Sequence, residues 1–173
     1  NDSRGIQIIS AGPVVALKTR GQVGYNNLVS TLNFVAGKYV NSNYASRGRS
    51  VGSNPSSPGG ITATTTYNGY STVNPDSYYT TDVNQLRAAN MLNIGSPYHL
   101  ASRSREANSA NVYCGEWVVE SNGSLNYPDL FYINRSTNTV ALHNISYYGV
   151  RAVITLKPGV KVSSGDGSTK AGA

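Results

Sequence analysis

The residues that could do covalent chemistry are few, and their spacing does not assemble a catalytic centre. Cys114 is the single cysteine, and His99 and His143 are the two histidines. A cysteine nucleophile needs a general base and a group that orients that base, but neither histidine has sequence neighbours that suggest such a triad. Cys114 follows Tyr113 in a strand-like stretch, where a lone cysteine is typical of a small buried side chain. We therefore expect no enzyme activity. A single cysteine also leaves no intrachain disulfide and no cysteine-based metal site.

Charge patterning argues against metal and nucleic-acid partners. The eight acidic residues are dispersed, whereas a calcium site gathers about six to eight oxygen ligands, so we expect no structural calcium, no other metal and no cofactor. The net charge of +6 comes from fourteen Lys and Arg. These are scattered, with no basic run of the kind that follows a phosphate backbone. We therefore expect no nucleic-acid partner.

A third kind of chemistry is molecular recognition, and residues 98–156 favour it. This stretch is rich in Asn, Ser and Tyr and has no Lys, Gln or Met. Tyr supplies a large contact area at low entropic cost, and Ser and Asn supply adaptable hydrogen bonds, as in antibody-like contact surfaces. We predict a ligand-binding face on a rigid sheet.

The residues of such a binding face can be substituted freely only if their side chains are exposed to solvent. A core substitution costs about 2 to 5 kcal/mol, whereas a surface change usually stays within about 0.5 kcal/mol. We therefore expect the binding residues to be exposed on one surface above a scaffold of Val112, Trp117, Val119, Val150, Val153, Ile154 and Leu156. The predicted ligand-binding residues are His99, Ser104, Arg105, Asn108, Asn111, Tyr113, Asn126, Tyr127, Asp129, Tyr132, Asn134, His143, Asn144, Tyr147 and Tyr148. Arg151, at the head of an apolar run, is expected to brace the domain through hydrogen bonds.

Short apolar runs predict the strands that would carry this face. Val112 and residues 117–119, 130–132 and 150–156 are rich in β-branched and aromatic residues, which suit a pleated, half-buried surface. Residues 5–17 predict a further strand, broken near Gly12 and Pro13 and then resumed.

Two segments change to helical periodicity. Apolar residues from Tyr25 to Val40 recur at three- and four-residue spacing, which predicts an amphipathic helix preceded by Gly24 as its cap. A second helix is predicted near residues 81–92, with Thr80 or Thr81 before Asp82 as the N-cap and an end by Ile94. Its buried stripe would contain Val83, Leu86, Ala88, Ala89 and Met91.

The rest of the chain predicts irregular structure. Residues 41–79 are expected to be a long loop, and within them residues 47–74, rich in Gly, Pro and Ser, an insert that either borders the binding face or is a tolerated surface excursion. Residues 163–173 read as a frayed tail. No apolar run is long enough to cross a bilayer, and the first residues lack a signal-peptide pattern.

Together these elements predict an α+β fold. We expect a single domain over residues 1–173, with two helices on one side of a mainly antiparallel sheet built from both ends of the chain.

Five patches resemble one group of proteins: residues 25–27, 49–53, 98–103, 149–156 and 161–168. They are similar to C-type-lectin-like domains of bacterial, phage and archaeal-virus surface proteins. The resemblance implies a C-type-lectin-like fold with long irregular loops, located extracellularly, on a cell surface or on a virion. The calcium-dependent sugar motifs of true C-type lectins, Glu-Pro-Asn, Gln-Pro-Asp and Trp-Asn-Asp, do not occur here. The formylglycine-generating enzymes share the fold, but one cysteine cannot supply the pair associated with their chemistry.

Within that group, the chain most resembles the variable proteins of diversity-generating retroelements. Adenine-directed mutagenesis of Asn-type codons yields Asn, Ser, Tyr, Asp, His, Gly and Arg, but no Lys, Gln, Met or Trp. The resemblance implies a diversified display protein that binds a protein or glycan receptor. The alternative is a structural or adhesive globular head of a pilin-like surface protein without diversification. The sequence predicts neither the ligand nor an oligomeric state.

Overall fold

The computed structural model describes residues 6–52, 86–88, 91–143 and 147–161, and these residues form an α+β fold in which strands predominate. The helices are α1 (Gly21–Asn26) and α2 (Leu28–Gly37), and residues 86–88 are also helical. The strands are β1 (Gln7–Ile9), β2 (Val15–Leu17), β3 (Ala45–Ser50), β4 (Tyr98–Ala107), β5 (Asn111–Val119), β6 (Leu125–Asn126), β7 (Asp129–Asn134), β8 (Val140–Leu142), β9 (Tyr148–Val150) and β10 (Ala152–Leu156).

The strands form two sheets that both join the beginning and the end of the chain. One sheet has the order β1-β10-β3. The other has the order β2-β9-β4-β5-β7-β8, with β6 paired to β5. The described pairings are antiparallel except for a single parallel bridge between Tyr98 of β4 and Gly149 of β9. The prediction that the N-terminal strand breaks near Gly12 and Pro13 is confirmed, since β1 and β2 join different sheets.

The predicted 150–156 strand is likewise divided between the two sheets. Arg151 separates β9 from β10. Its buried guanidinium donates to the carbonyl oxygens of Ser10, at 2.7 and 3.1 Å, and of Met91, at 3.1 Å. The predicted bracing role of Arg151 is confirmed.

The predicted 25–40 helix is two shorter helices. α1 begins earlier, at Gly21, so Gly24 lies inside a helix instead of capping one. Asn27 interrupts the two helices with φ −102° and ψ 7°, and its side-chain amide donates to the carbonyl of Val23 at 3.0 Å. This local bond competes with regular helix geometry, which apolar spacing alone does not reveal. The apolar stripe of α2 is buried as predicted, through Leu28, Leu32 and Ala36.

The long-loop prediction was wrong at its start. Residues 45–50 form β3, which pairs with β10 from Ala45 opposite Leu156 to Ser50 opposite Ala152. Backbone pairing with an apolar partner outweighs the low strand propensity of a Gly- and Arg-containing segment. The remainder of the predicted insert and the 163–173 tail lie outside the described residues.

The second predicted helix is described only in part. Leu86 is buried and Ala88 is exposed within the helical residues 86–88, so Ala88 does not belong to the buried stripe. Residues 91–94 are not helical, so the helix ends before the predicted position 92. The proposed N-cap, Val83 and Ala89 lie outside the described residues.

The core has three clusters: α1 packs against β5, β7 and β9, α2 packs against β4, β9 and β10, and Leu86 and Leu92 pack against β4, β5 and β10. Of the predicted scaffold, Val112, Val119, Val150 and Val153 are buried, whereas Trp117, Ile154 and Leu156 are half-buried. Burial of β-branched residues on β5, β9 and β10 gives the sheet a rigid base, because large core side chains tolerate little displacement.

Candidate functional site

The outer face of the β5–β7 ladder carries the candidate site. Along β5, the side chains of Val112, Cys114, Glu116 and Val118 are buried. Successive side chains of a strand alternate between faces, so Asn111 and Tyr113 lie on the opposite, outer face. The pairing register then places further residues beside them, because directly opposed residues share a face. The ring of His143 joins this set through its contact with Tyr132. We call the resulting set the outer-face patch: Glu106, Asn111, Tyr113, Asp129, Tyr132, Asn134 and His143.

Ring contacts hold the centre of the outer-face patch together. Tyr113 is opposite Tyr132 in the register, with ring centroids 5.8 Å apart. Tyr132 in turn meets the ring of His143 edge-on, with centroids 5.3 Å apart. The amide of Asn111 donates to the Tyr113 hydroxyl at 3.0 Å. All four side chains are half-buried, so each ring packs against the protein and remains partly accessible to solvent.

A register shift turns Asp129 onto this face. Cys114 pairs with Phe131 but Gly115 pairs with Asp129, so Leu130 is an extra residue at this point of β7. Without it, strand alternation would place Asp129 on the same face as the buried Phe131. Burial raises the pKa of Asp129, the nearby His143 lowers it, and the Glu106 carboxylate raises it. Both neighbours therefore lie within electrostatic range of this half-buried carboxyl group.

A second aromatic pair extends the outer face along β5. Trp117 lies two positions beyond Gly115 on the same face and contacts the exposed ring of Tyr127, with centroids 4.9 Å apart. Gly115 separates this pair from the outer-face patch. A Cβ at Gly115 would lie 2.5 Å from the carbonyl oxygen of Pro128 and 2.7 Å from the Ser104 hydroxyl, so the backbones approach closely here.

Several predicted contact asparagines instead stabilise turns. The side-chain oxygen of Asn108 accepts from the backbone N–H groups of Ala110 and Asn111 at 2.9 and 2.8 Å. That of Asn134 accepts from Ser136 and Thr137 at 3.0 and 3.1 Å. Such bonds are the usual role of Asn in turns, so these carboxamide oxygens are already committed to the chain itself.

Three predicted contact residues are buried, which corrects the expectation of exposure. His99 is opposite Val118, on the core face, where its ring nitrogens lie 3.1 Å from Glu116 Oε2 and 3.0 Å from the carbonyl of Leu17. Ser104 is 3% exposed, and its hydroxyl lies at the close backbone approach of Gly115, which is directly opposite. Tyr148 is 7% exposed.

Tyr148 packs edge-on against His99 with centroids 5.5 Å apart. Its hydroxyl donates to Glu120 Oε1 at 3.4 Å. Burial first, and then the charge and hydrogen bond of Glu120, raise the pKa of Tyr148 to about 12. Its ring therefore packs inside the protein. The prediction of exposure failed because residue type alone does not distinguish a buried Tyr from an exposed one.

The remaining predicted residues lie away from the patch. Arg105 is opposite Cys114 and so shares the core face. Asn126 donates to Glu120 Oε1 at 2.9 Å, and is opposite Val118 on that face. Tyr147 is 67% exposed, with Lys18 Nζ 5.6 Å from its ring centroid near the β2 edge. Asn144 lies outside the described residues.

Glu106 is a member of the patch that the sequence reasoning missed. It is exposed and directly opposite Tyr113. The available signal was the pairing of β4 with β5 through a short turn, which brings the residues just before and just after that turn together.

Cys114 is fully buried, as predicted, and burial raises the pKa of its thiol to about 12. Within the described ranges, no group of three or more His, Cys, Asp or Glu side chains is arranged to hold a metal ion. In the same part of the chain, no helix combines the length and apolarity required to span a membrane.

Comparisons with known proteins do not assign a family. No protein-family model matches the sequence, no curated protein matches it, and no solved structure matches the fold.

Proposed function

We propose that this chain is a ligand-binding display domain of C-type-lectin-like type, whose outer-face patch contacts a protein or glycan receptor on a cell or virion. The observation that carries the proposal is the outer-face patch itself, in which the Tyr132 ring contacts both Tyr113 and His143 on one side of a rigid sheet. Partly exposed aromatic rings on a fixed base are typical anchors of binding surfaces. The pairing of both chain ends, through β1 with β10 and β2 with β9, supports the fold part of the proposal.

Strand alternation supports the proposed diversification. On β5 and β7, buried Val112, Cys114 and Ile133 alternate in sequence with outward Tyr113 and Tyr132. A substitution at an outward position changes the surface without opening a core cavity. Asn111, Tyr113, Asp129, Tyr132, Asn134 and His143 are all residue types that mutated Asn-type codons encode. Glu106 is not, so it would remain constant.

The encoding locus tests the diversification. We expect a reverse transcriptase gene and a near-identical template repeat beside this gene, with differences from the template confined to adenines in the codons of patch residues. Genes for prepilin processing and assembly, without such a repeat, would instead support the structural head of a pilin-like protein.

A displayed library tests the contact face directly. Randomising Tyr113, Tyr132 and His143 should yield folded variants and, after selection on protein and glycan panels, specific binders. A matched library at three exposed aromatic residues of the α2–β3 region, Phe34, Tyr39 and Tyr44, controls for aromatic content. If the control library yields binders as often as the patch library, the outer-face patch has no special role.

A further inference from the structure

We infer that the outer-face patch receives a cationic side chain, a lysine or an arginine, of a partner protein; this inference rests on the proposed function and names its partner class. The starting observation is charge. The chain has a net charge of +6, yet the ionisable groups that the outer-face patch presents are Glu106, Asp129, His143 and two tyrosines. A local negative region on a basic protein favours a positive partner and repels an acidic one.

The carboxylates of Glu106 and Asp129 form no hydrogen bond and no ion pair within the described part of the chain. The electrostatic neighbours of Asp129 there are His143, which lowers its pKa, and Glu106, which raises it. Glu120, by comparison, accepts hydrogen bonds from Asn126 and Tyr148. Asp129 is half-buried and has lost part of its hydration, which is the leading cause of its raised pKa. A cation at this position would replace the lost hydration with a direct ion pair.

The two tyrosine rings provide the second half of a cation site. Elsewhere in this chain, tyrosine rings already hold cations: Arg103 lies 5.3 Å from the Tyr25 ring centroid, and Arg151 lies 5.0 Å from that of Tyr98. No cation of the described residues lies over Tyr113 or Tyr132. A cation above a tyrosine ring is attracted by the ring's electron-rich face. Tyr113 on β5 lies between Glu106 on β4 and Tyr132 on β7, and Asp129 is opposite Gly115, two residues further along β5.

The same geometry disfavours a neutral sugar. Sugar hydroxyls need accessible amide donors and acceptors, but the amide N–H of Asn111 donates to Tyr113, the Asn111 side-chain oxygen is buried, and the carboxamide oxygen of Asn134 accepts from its own turn. The groups left open are carboxylates and ring faces, which suit a positive charge.

Titration of the whole chain with defined probes tests this inference. The probes are acetyl-tetralysine amide, acetyl-tetraglutamate amide and a methyl galactoside, and the readout is the ¹⁵N–¹H NMR spectrum. We expect tetralysine to shift the resonances of Tyr113, Tyr132 and Asp129. The affinity should fall as salt rises, since salt screens exposed charges. Tetraglutamate and the sugar should leave these resonances unchanged.

Three charge-matched variants distinguish binding at the patch carboxylates from a general response to net charge. D129N should weaken tetralysine binding by roughly 5-fold or more, because the Asp129 carboxylate is partly desolvated, and E106Q, at an exposed carboxylate, by about 2- to 5-fold. E120Q removes the same charge on the opposite face and should change the affinity by less than about 2-fold. Equal effects of all three variants would show only a non-specific response to net charge and would overturn the inference.

The two proposals can fail separately. If the patch library yields binders that lose binding on Tyr113→Ala but not on E106Q or D129N, the display function stands and the cationic partner class is wrong. Stronger shifts with the sugar or with tetraglutamate also overturn the partner class. If the patch library yields no binders beyond the control library, the display function fails, whatever the tetralysine result.

Discussion

At the scale of single residues, the buried contact between His99 and Glu116 has a defined chemistry. The carbonyl of Leu17, 3.0 Å from His99 Nε2, can only accept a hydrogen bond, so Nε2 carries a proton. His99 Nδ1 lies 3.1 Å from Glu116 Oε2, which is a hydrogen-bonding distance. The other carboxylate oxygen of Glu116 is buried without a hydrogen-bond partner among the described residues. The pair therefore joins β2, β4 and β5 at one polar point inside an apolar core.

Removing His99 from this pair should destabilise the protein strongly. His99→Leu leaves the Glu116 side chain buried without its hydrogen-bond partner, and loss of one member of a buried pair typically costs about 3 to 5 kcal/mol. The free energy of unfolding from urea titration measures the loss. Glu120→Ala, at the half-buried residue that follows β5, is the control and should cost less than about 1.5 kcal/mol. A loss for His99→Leu no larger than that of the control would contradict the role of the pair.

The raised pKa of Asp129 predicts that the stability of the folded protein depends on pH. Its pKa is raised above the ordinary value of 3.8, so the folded state binds its proton more tightly than the unfolded state does. The associated stability is fully present below pH 3.8 and is lost as pH rises through the folded pKa. Asp129→Asn should therefore raise Tm relative to the natural chain at pH 7 and give no such gain near pH 3. A Tm difference that stays the same at both pH values would show that ionisation is not the cause.

At the scale of secondary-structure elements, the close approach of β4, β5 and the segment before β7 depends on Gly115. Gly115→Ala places a methyl group 2.5 Å from a backbone oxygen, and such overpacking costs typically about 1 to 3 kcal/mol. We expect a lower midpoint of denaturation and shifted NMR resonances for Tyr113 and Asp129. Gly12→Ala is the matched control, because a Cβ there meets nothing within 4 Å. If both substitutions cost the same, the approach at Gly115 is not restrictive.

The same strands show how far the sequence predicts the fold. Apolar runs located β5, β7 and β10, since their burial follows from residue type and alternation. The sequence did not predict β3, whose Ser, Arg and Gly residues pair because β10 offers an unpaired edge. The interruption at Asn27 was missed because it depends on a side-chain hydrogen bond to Val23.

The sequence predicted which residue types form the candidate site better than it predicted which individual residues belong to it. Tyr113, Tyr132 and His143 come together as their types suggested. His99 and Tyr148 have the same residue types but lie in the core, because which face of a strand a residue occupies depends on register. Asp129 faces outward because β7 contains one extra residue at the register shift. Composition does not predict that shift.

At the scale of the whole molecule, Arg151 connects three separate parts of the chain. Its guanidinium donates to Ser10 and Met91 and lies over the Tyr98 ring. Arg151→Lys keeps the charge but cannot span these acceptors, because an ammonium group is a compact donor without the planar fork of arginine. We expect a loss of about 2 to 4 kcal/mol in the free energy of unfolding, since buried carbonyl groups lose their donors. The exposed Arg47→Lys is the control, and an equal effect of both substitutions would contradict this role.

The pairing of β1 with β10 also has a mechanical consequence. The strands are antiparallel, and the N–H of Leu156 donates to the carbonyl of Ile6 at 2.9 Å, so these two residues lie at the same end of the ladder. A pulling force applied at Ile6 and Leu156 therefore loads the backbone hydrogen bonds one after another, as in opening a zipper. A force applied at Ile6 and Ala152, at opposite ends of the ladder, loads the same bonds together in shear. Single-molecule stretching should therefore separate β1 from β10 at a lower force in the first geometry than in the second.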